Sequence, residues 1–169
     1  LAAFNVTTST NTYNTAVGYS AGVDITTGTD NTLIGALAGD ALTDGSLNTV
    51  LGKTALGSDT KGSRAVAIGR NALGTQNFTT ATNSYNVAVG YSAGAVITTG
   101  TQNTFVGGET GDGTNDGVNN TAMGYQALSA NCGDDNTAMG VLTLNVCTGA
   151  DNTAIGAVAG HVITGGSNC

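Results

Sequence analysis

Apolar and polar positions recur in this chain at the spacing of a short lap, too long for a helical turn and too short for a subdomain. The phrase Asn14-Thr15-Ala16-Val17-Gly18 returns at 31–35, 48–52, 103–107, 120–124, 136–140 and 152–156, with looser copies at 65–69 and 86–90. Between the closing glycines the spacing is 17, 17, 17, 21, 17, 17, 16 and 16 residues. A fixed period of this length marks a solenoid, in which each unit buries its apolar side only by stacking on its neighbours. The pattern therefore predicts an all-β chain: a parallel β-solenoid of about nine coils of 16–17 residues, filling one domain over 1–169. A 72-residue shift pairs Leu1 with Leu73 and Tyr13 with Tyr85, giving a larger repeat over 1–72, 73–144 and a partial 145–169. Its fourth coil is longer by four residues, inserted within 76–84.

The slots of one coil have separate expected roles. The fourth position holds Val17, Ile34, Leu51, Ile68, Val89, Val106, Met123, Met139 and Ile155, and its bulk predicts a core stripe. The third holds Ala16, Leu33, Val50, Ala67, Ala88, Phe105, Ala122, Ala138 and Ala154. Neighbouring strand residues point to opposite faces, so both faces of the strand are expected to be buried, the second against other chains. The closing Gly and a small residue three positions later (Ala21, Ala38, Ala55) suit a tight corner leading into a second short strand. Ile25, Leu42, Ile97 and Ile163 add another core column. Gly28, Gly45, Gly100 and their equivalents, with Asn83 in one coil, suggest a repeated left-handed backbone position. The Asn and Thr columns can form polar ladders along the stack. At about 4.8 Å per coil, nine coils make a rod on the order of 43 Å long.

Composition narrows the function. Gly is abundant at 27 residues, Pro is absent and only 9% of residues are charged, yet 40% apolar residues at fixed phase can bury a continuous core. A net charge of -7 lacks the basic footprint that nucleic acid demands. No apolar run reaches the roughly 18 residues of a membrane span. The chain opens at Leu1 without a charged and then apolar leader, and stops at Asn168-Cys169 where another coil would start; both suggest a mature or excised segment.

The run Ser63-Arg64-Ala65-Val66-Ala67-Ile68-Gly69-Arg70-Asn71-Ala72-Leu73 resembles the head repeat of trimeric autotransporter adhesins. The wording Asn120 to Leu128 is similar to repeats of phage tail fibres and other secreted bacterial fibres. The resemblance implies a left-handed β-roll, three chains side by side with the small-residue face turned to the partners, and a place outside the cell or on a virion surface.

Candidate chemistry is sparse. His161 follows Ala159-Gly160 at a corner with no nucleophile and acid in a readable arrangement, so it reads as a surface residue and the chain as no enzyme. Asp112-Gly113-Thr114-Asn115-Asp116-Gly117 is a weak calcium-loop candidate in which Met123 stands where the closing Glu belongs; otherwise no metal or cofactor is expected. Cys132 and Cys147 hold nearly the same place in adjacent coils and are a candidate disulfide, against two buried thiols. Cys169 is left over as a candidate link between subunits. All four basic residues, Lys53, Lys61, Arg64 and Arg70, lie in coils three and four, while acids crowd the later coils; the band is either scattered surface charge or an intersubunit register device. Three sequons, at Asn5, Asn77 and Asn119, are candidate glycosylation sites, as are the Thr clusters around Thr7 and Thr79, which lie on extended coils that should bulge. Tyr19, Tyr91 and Tyr125 either cover the corner between coils or stack on sugar rings. The expected function is a structural subunit of an extracellular fibre or filament that associates with itself as homo-oligomer or helical polymer. The alternative is an adhesin or tail-fibre segment that binds surface glycans.

Overall fold

The computed structural model describes residues 11–168. Each lap contributes one three-residue strand to a single parallel sheet: β1 (Thr15–Val17), β2 (Thr32–Ile34), β3 (Thr49–Leu51), β5 (Val66–Ile68), β7 (Val87–Val89), β8 (Thr104–Val106), β9 (Thr121–Met123), β10 (Thr137–Met139) and β12 (Thr153–Ile155). These nine strands lie in chain order, which makes the fold a parallel β-solenoid. Equivalent residues are paired throughout, so Val17, Ile34, Leu51 and Ile68 are vertical neighbours. Two minor ladders run elsewhere around the lap: β4 (Gly62–Ser63) with β6 (Thr82–Asn83), and β11 (Val146–Cys147) with β13 (Val162–Ile163).

The strands are short because the backbone turns on either side of them. The residue before each Asn, or before Ala65 in its place, is left-handed, at Tyr13, Asp30, Leu47, Arg64 and Tyr85 among others, with φ from 51° to 63° in these five. A second left-handed position follows the closing Gly at Ser20, Leu37, Thr54 and Asn71. Such residues cost roughly 1–2 kcal/mol each. Coil-to-coil amide bonds offset the strain: Asp30 N donates to Thr12 O at 2.8 Å and Leu37 N to Tyr19 O at 2.8 Å. The segment after the corner is tied to the next lap by Gly22 N to Ala38 O; it is a turn in the earlier laps, and the second short strand that the pattern suggested forms as β11 and β13 in the last two.

Two glycine columns do different work. The closing glycines, such as Gly69 at φ 127°, need a conformation that L side chains rarely adopt. Gly28, Gly45 and Gly100 are not left-handed, contrary to the expectation for them. They lie so close to the next coil that a Cβ would run into the carbonyl oxygens of Gly45, Gly62 and Gly117.

The interior is built from the third slot, the small corner residues and the Ile25 column. Leu33, Val50, Ala67, Ala88, Phe105, Ala122 and Ala138 are fully buried, as are Ile25, Leu42 and Ile97. A third left-handed position supplies volume where the other columns do not. It is Gly22, Gly39, Gly94 and Gly111 beside Ile25, Leu42, Leu33 or Phe105, and Leu56, Leu73, Leu128 and Leu144 in the other laps. Phe105 shows the fit: its ring lies against Gly111, where an added Cβ would be 2.6 Å from Cζ. Swapping bulk between columns keeps the interior filled at the density that cores require.

The proposed core stripe is corrected by this geometry. Val17, Ile34, Leu51, Ile68, Val89, Val106, Met123, Met139 and Ile155 stack as expected, but they face outward. Val17 is 57% exposed, Leu51 47% and Ile155 70%, and Ile68, Val89 and Val106 are half-buried. Strand alternation allows only one of two adjacent apolar slots to point inward. The buried Asn column two residues earlier in the alternation places the third slot there.

The four extra residues of the long lap are absorbed without loss of register, since β5 still pairs with β7 through Ala67 and Ala88. Thr79, Thr80 and Ala81 are exposed, so the insertion bulges outward there. At the far end Ala154, Ile163 and Asn168 line a shallow open concavity where the described stack stops.

Candidate interaction face

The outer side of the nine-stranded sheet is the most distinctive surface of the molecule. Alternation sets four outward columns side by side: the left-handed residue before Asn, the Thr column, the aliphatic column, and the residue after the closing Gly. Along the Thr column Val66 and Val87 replace threonine, so β5 and β7 present Val66, Ile68, Val87 and Val89 together. β7 is the central strand of the nine, and β5 is its neighbour. On one margin the Arg64 guanidinium lies 5.9 Å from the Tyr85 ring centroid, and on the other Arg70 lies 5.7 Å from that of Tyr91. Arg70 Nη1 also donates to the Tyr91 hydroxyl at 3.4 Å, and Arg64 Nε to Asn83 Oδ1 at 3.2 Å. An aliphatic centre between two Arg–Tyr stacks has the make-up of a binding hot spot, where aromatic and Arg side chains dominate.

The face is held rigid by the column behind it. Asn31 Oδ1 accepts from Asn48 N at 3.0 Å, and Asn31 Nδ2 donates to Gly45 O at 2.9 Å. Each such Asn thus joins its lap to the next and closes its own lap. Asn48, Asn86 and Asn103 repeat both bonds, so these buried amides meet the satisfaction rule for polar cores. Where Ala65 interrupts the column, a buried chain takes over: Asn86 Nδ2 donates to Gln76 Oε1 at 2.8 Å, and Gln76 Nε2 to Asp59 Oδ2 at 2.6 Å. Asp59 also accepts from Gly62 N at 2.9 Å and Phe78 N at 3.1 Å. Asp59 and Gln76 occupy the slot that holds Ile25 and Leu42 in earlier laps, and no sequence motif announced them.

Burial pushes the Asp59 carboxyl above its ordinary value, against hydrogen bonds from Gln76, Phe78, Gly62 and Lys61 that pull it down. Asp40 and Asp112, less buried, are raised mainly by the same desolvation. A raised folded-state value means that the favourable contribution is complete below the unfolded carboxylate range and is lost as pH rises through the folded value. Asp44, bonded by Thr27 and Lys61, is lowered and has the opposite sign. The melting temperature is therefore expected to rise as pH falls from neutral into the carboxylate range, and Asp59→Asn should flatten that rise. Calorimetry showing a melt that falls over the same interval, or a slope unmoved by the substitution, would contradict this placement of Asp59.

The remaining candidate residues are dispersed. Cys132 and Cys147 are both free, which corrects the disulfide proposal. Cys132 Sγ points at the carbonyl oxygens of Cys147 and Ala130, 3.0 and 3.3 Å away, while Cys147 Sγ is aimed toward Gly149 O at 3.7 Å. Burial pushes the Cys132 thiol far up, which keeps it protonated and unreactive. His161 is exposed. Among the described residues no three His, Cys, Asp or Glu side chains converge to hold a metal ion, and Asp112 is half-buried while Asp116 is exposed. Lys61 pairs with Asp44 at 3.2 Å, and Lys53 is exposed on the margin of the face. Asn77, Thr79 and Asn119 are exposed. Asn5, Thr7 and Cys169 lie outside the described residues. No helix is long and apolar enough to cross a membrane among the described residues.

The fold and this face define a class: a parallel β-solenoid whose outer sheet face carries a continuous aliphatic strip. Compared with known proteins, the chain matches no family model, no curated protein and no solved structure.

Proposed function

We propose that the protein is a structural subunit of an extracellular fibre or filament that associates with copies of itself. The observation that carries this reading is the unbroken column of outward aliphatic and Met side chains from Val17 to Ile155 along the nine-stranded sheet. Scattered apolar surface residues need no explanation, but a contiguous strip of them marks a surface that another molecule covers. Stacked coils supply stiffness through backbone bonds and the Asn column, and the strip supplies lateral adhesion. Negative-stain electron microscopy of the native material is expected to show rods joined side by side or end to end. Isolated, compact, isotropic particles at all concentrations would overturn the reading.

A second reading, an adhesin or tail-fibre segment that binds surface glycans, is favoured by the exposed rings of Tyr19, Tyr91 and Tyr125, 67%, 51% and 50% exposed. It requires glycan-array binding that Tyr91→Ala abolishes.

A further inference from the structure

We infer that the apolar sheet face is covered by a second copy of this chain, packed face to face with its stack running in the opposite direction, about a two-fold axis between β5 and β7. The inference deepens the self-associating reading and rests on it. Three observations converge on this occupant.

The first is area. Eight laps shared at about 4.8 Å, across the width from the Tyr13 column to the Tyr19 column, give an upper limit of roughly 760 Å² on each copy at about 3.3 Å per residue, reached only where the backbone is fully extended. A stable interface takes about 800 Å² per partner.

The second is the position of the apolar centre. With the axis between β5 and β7, Val66 and Ile68 of one copy meet Val87 and Val89 of the other, and Arg64 and Arg70 meet Tyr85 and Tyr91. Each Arg–Tyr stack already present within the chain then faces its symmetry mate, and the aliphatic centre is closed off from water at both margins.

The third is charge. The opposed arrangement places Lys53 of β3's lap against Gly108 of β8's lap, beside Glu109, whose half-buried carboxylate accepts from Gln126 Nε2 at 2.8 Å, so opposite charges are brought to the same margin. It sets Asp30 against Asn119 and Asp135 against Tyr13, so no like charges are directly opposed, and each Arg stands opposite a Tyr, one lap away from its own symmetry mate. A two-fold parallel to the stack would instead put Arg64 against Arg70 of the same lap, a juxtaposition that interfaces avoid.

The test uses the full chain. Light scattering behind size exclusion is expected to give twice the chain mass at micromolar concentration. Zero-length carbodiimide coupling of a mixture of unlabelled and nitrogen-15-labelled protein is expected to join Lys53 of one copy to Glu109 of the other. Within one chain these residues are three laps apart, about 14 Å by strand spacing, beyond the reach of that reagent. Ile68→Glu, which changes an outward side chain, is expected to weaken dimerisation at least tenfold with an unchanged circular dichroism spectrum. If that variant fails to fold, the cross-link in the unaltered chain still decides. A monomeric or trimeric mass, a dimer without the Lys53–Glu109 link, or a folded Ile68→Glu variant that dimerises normally would each overturn the pairing. Elongated rods of monomer mass would do so while leaving the structural role standing, whereas compact monomers would remove both.

Discussion

Gly69→Ala is expected to destabilise the stack by about 3–4 kcal/mol, from strain at a left-handed non-glycine position and forced overpacking of roughly 1–3 kcal/mol each. Gly69 has φ 127°, and its missing Cβ is the space into which the Gly90 carbonyl oxygen projects. Because each lap is stabilised by its neighbours, a displacement here weakens the interfaces on both sides of β5. Gly108→Ala is the matched control: its added methyl would meet only Tyr125 Cδ2 at 3.6 Å, an ordinary contact, and its φ is unremarkable. It should stay within about 0.5 kcal/mol of the parent. Urea melts that showed equal losses for the two variants would mean that the coils do not approach each other as described.

Phe105→Ala is expected to cost about 3–5 kcal/mol, the range for removing a fully buried aromatic ring and leaving a cavity. The adjacent Val106→Ala should cost about 1 kcal/mol or less, because that side chain points to the outer face and is half-buried. The pair distinguishes inside from outside within one strand. Thermal melts in which Val106→Ala was the more damaging of the two would restore the fourth slot to the core and remove the exposed strip on which the proposed association depends.

Much of the architecture was legible in the linear pattern. The recurring Asn-Thr-apolar-apolar-Gly phrase located all nine strands of the main sheet and their register, because equivalent slots in a solenoid stack directly. It also pointed to the Asn ladder and to the bulge around Thr79 and Thr80. The candidate site was legible only in part. The aliphatic strip is visible in the sequence, but its side of the sheet is not, and nothing in the linear pattern marks the Arg–Tyr stacks across β5 and β7. Those stacks join residues 21 apart that become neighbours only through the lengthened lap. The Asp59–Gln76–Asn86 chain was invisible for the same reason: a carboxylate and two amides scattered through a polar chain look like surface until an interrupted column brings them inside.

By itself the sequence determined the period, the strand positions, the pairing register and the fact that two apolar columns must face opposite ways. Only the tertiary structure decided which of the two is inside. Alternation constrains relative direction along a strand and says nothing of absolute direction. That is set by how the left-handed corners at Tyr13, Ser20 and Gly22 and their equivalents close the lap. The closed lap is filled by the buried Asn, by a third slot that trades bulk with the corner Gly or Leu, and by the Ile25 column across from it, which leaves no space for the fourth slot as well. The aliphatic column is left on the outer face of the sheet.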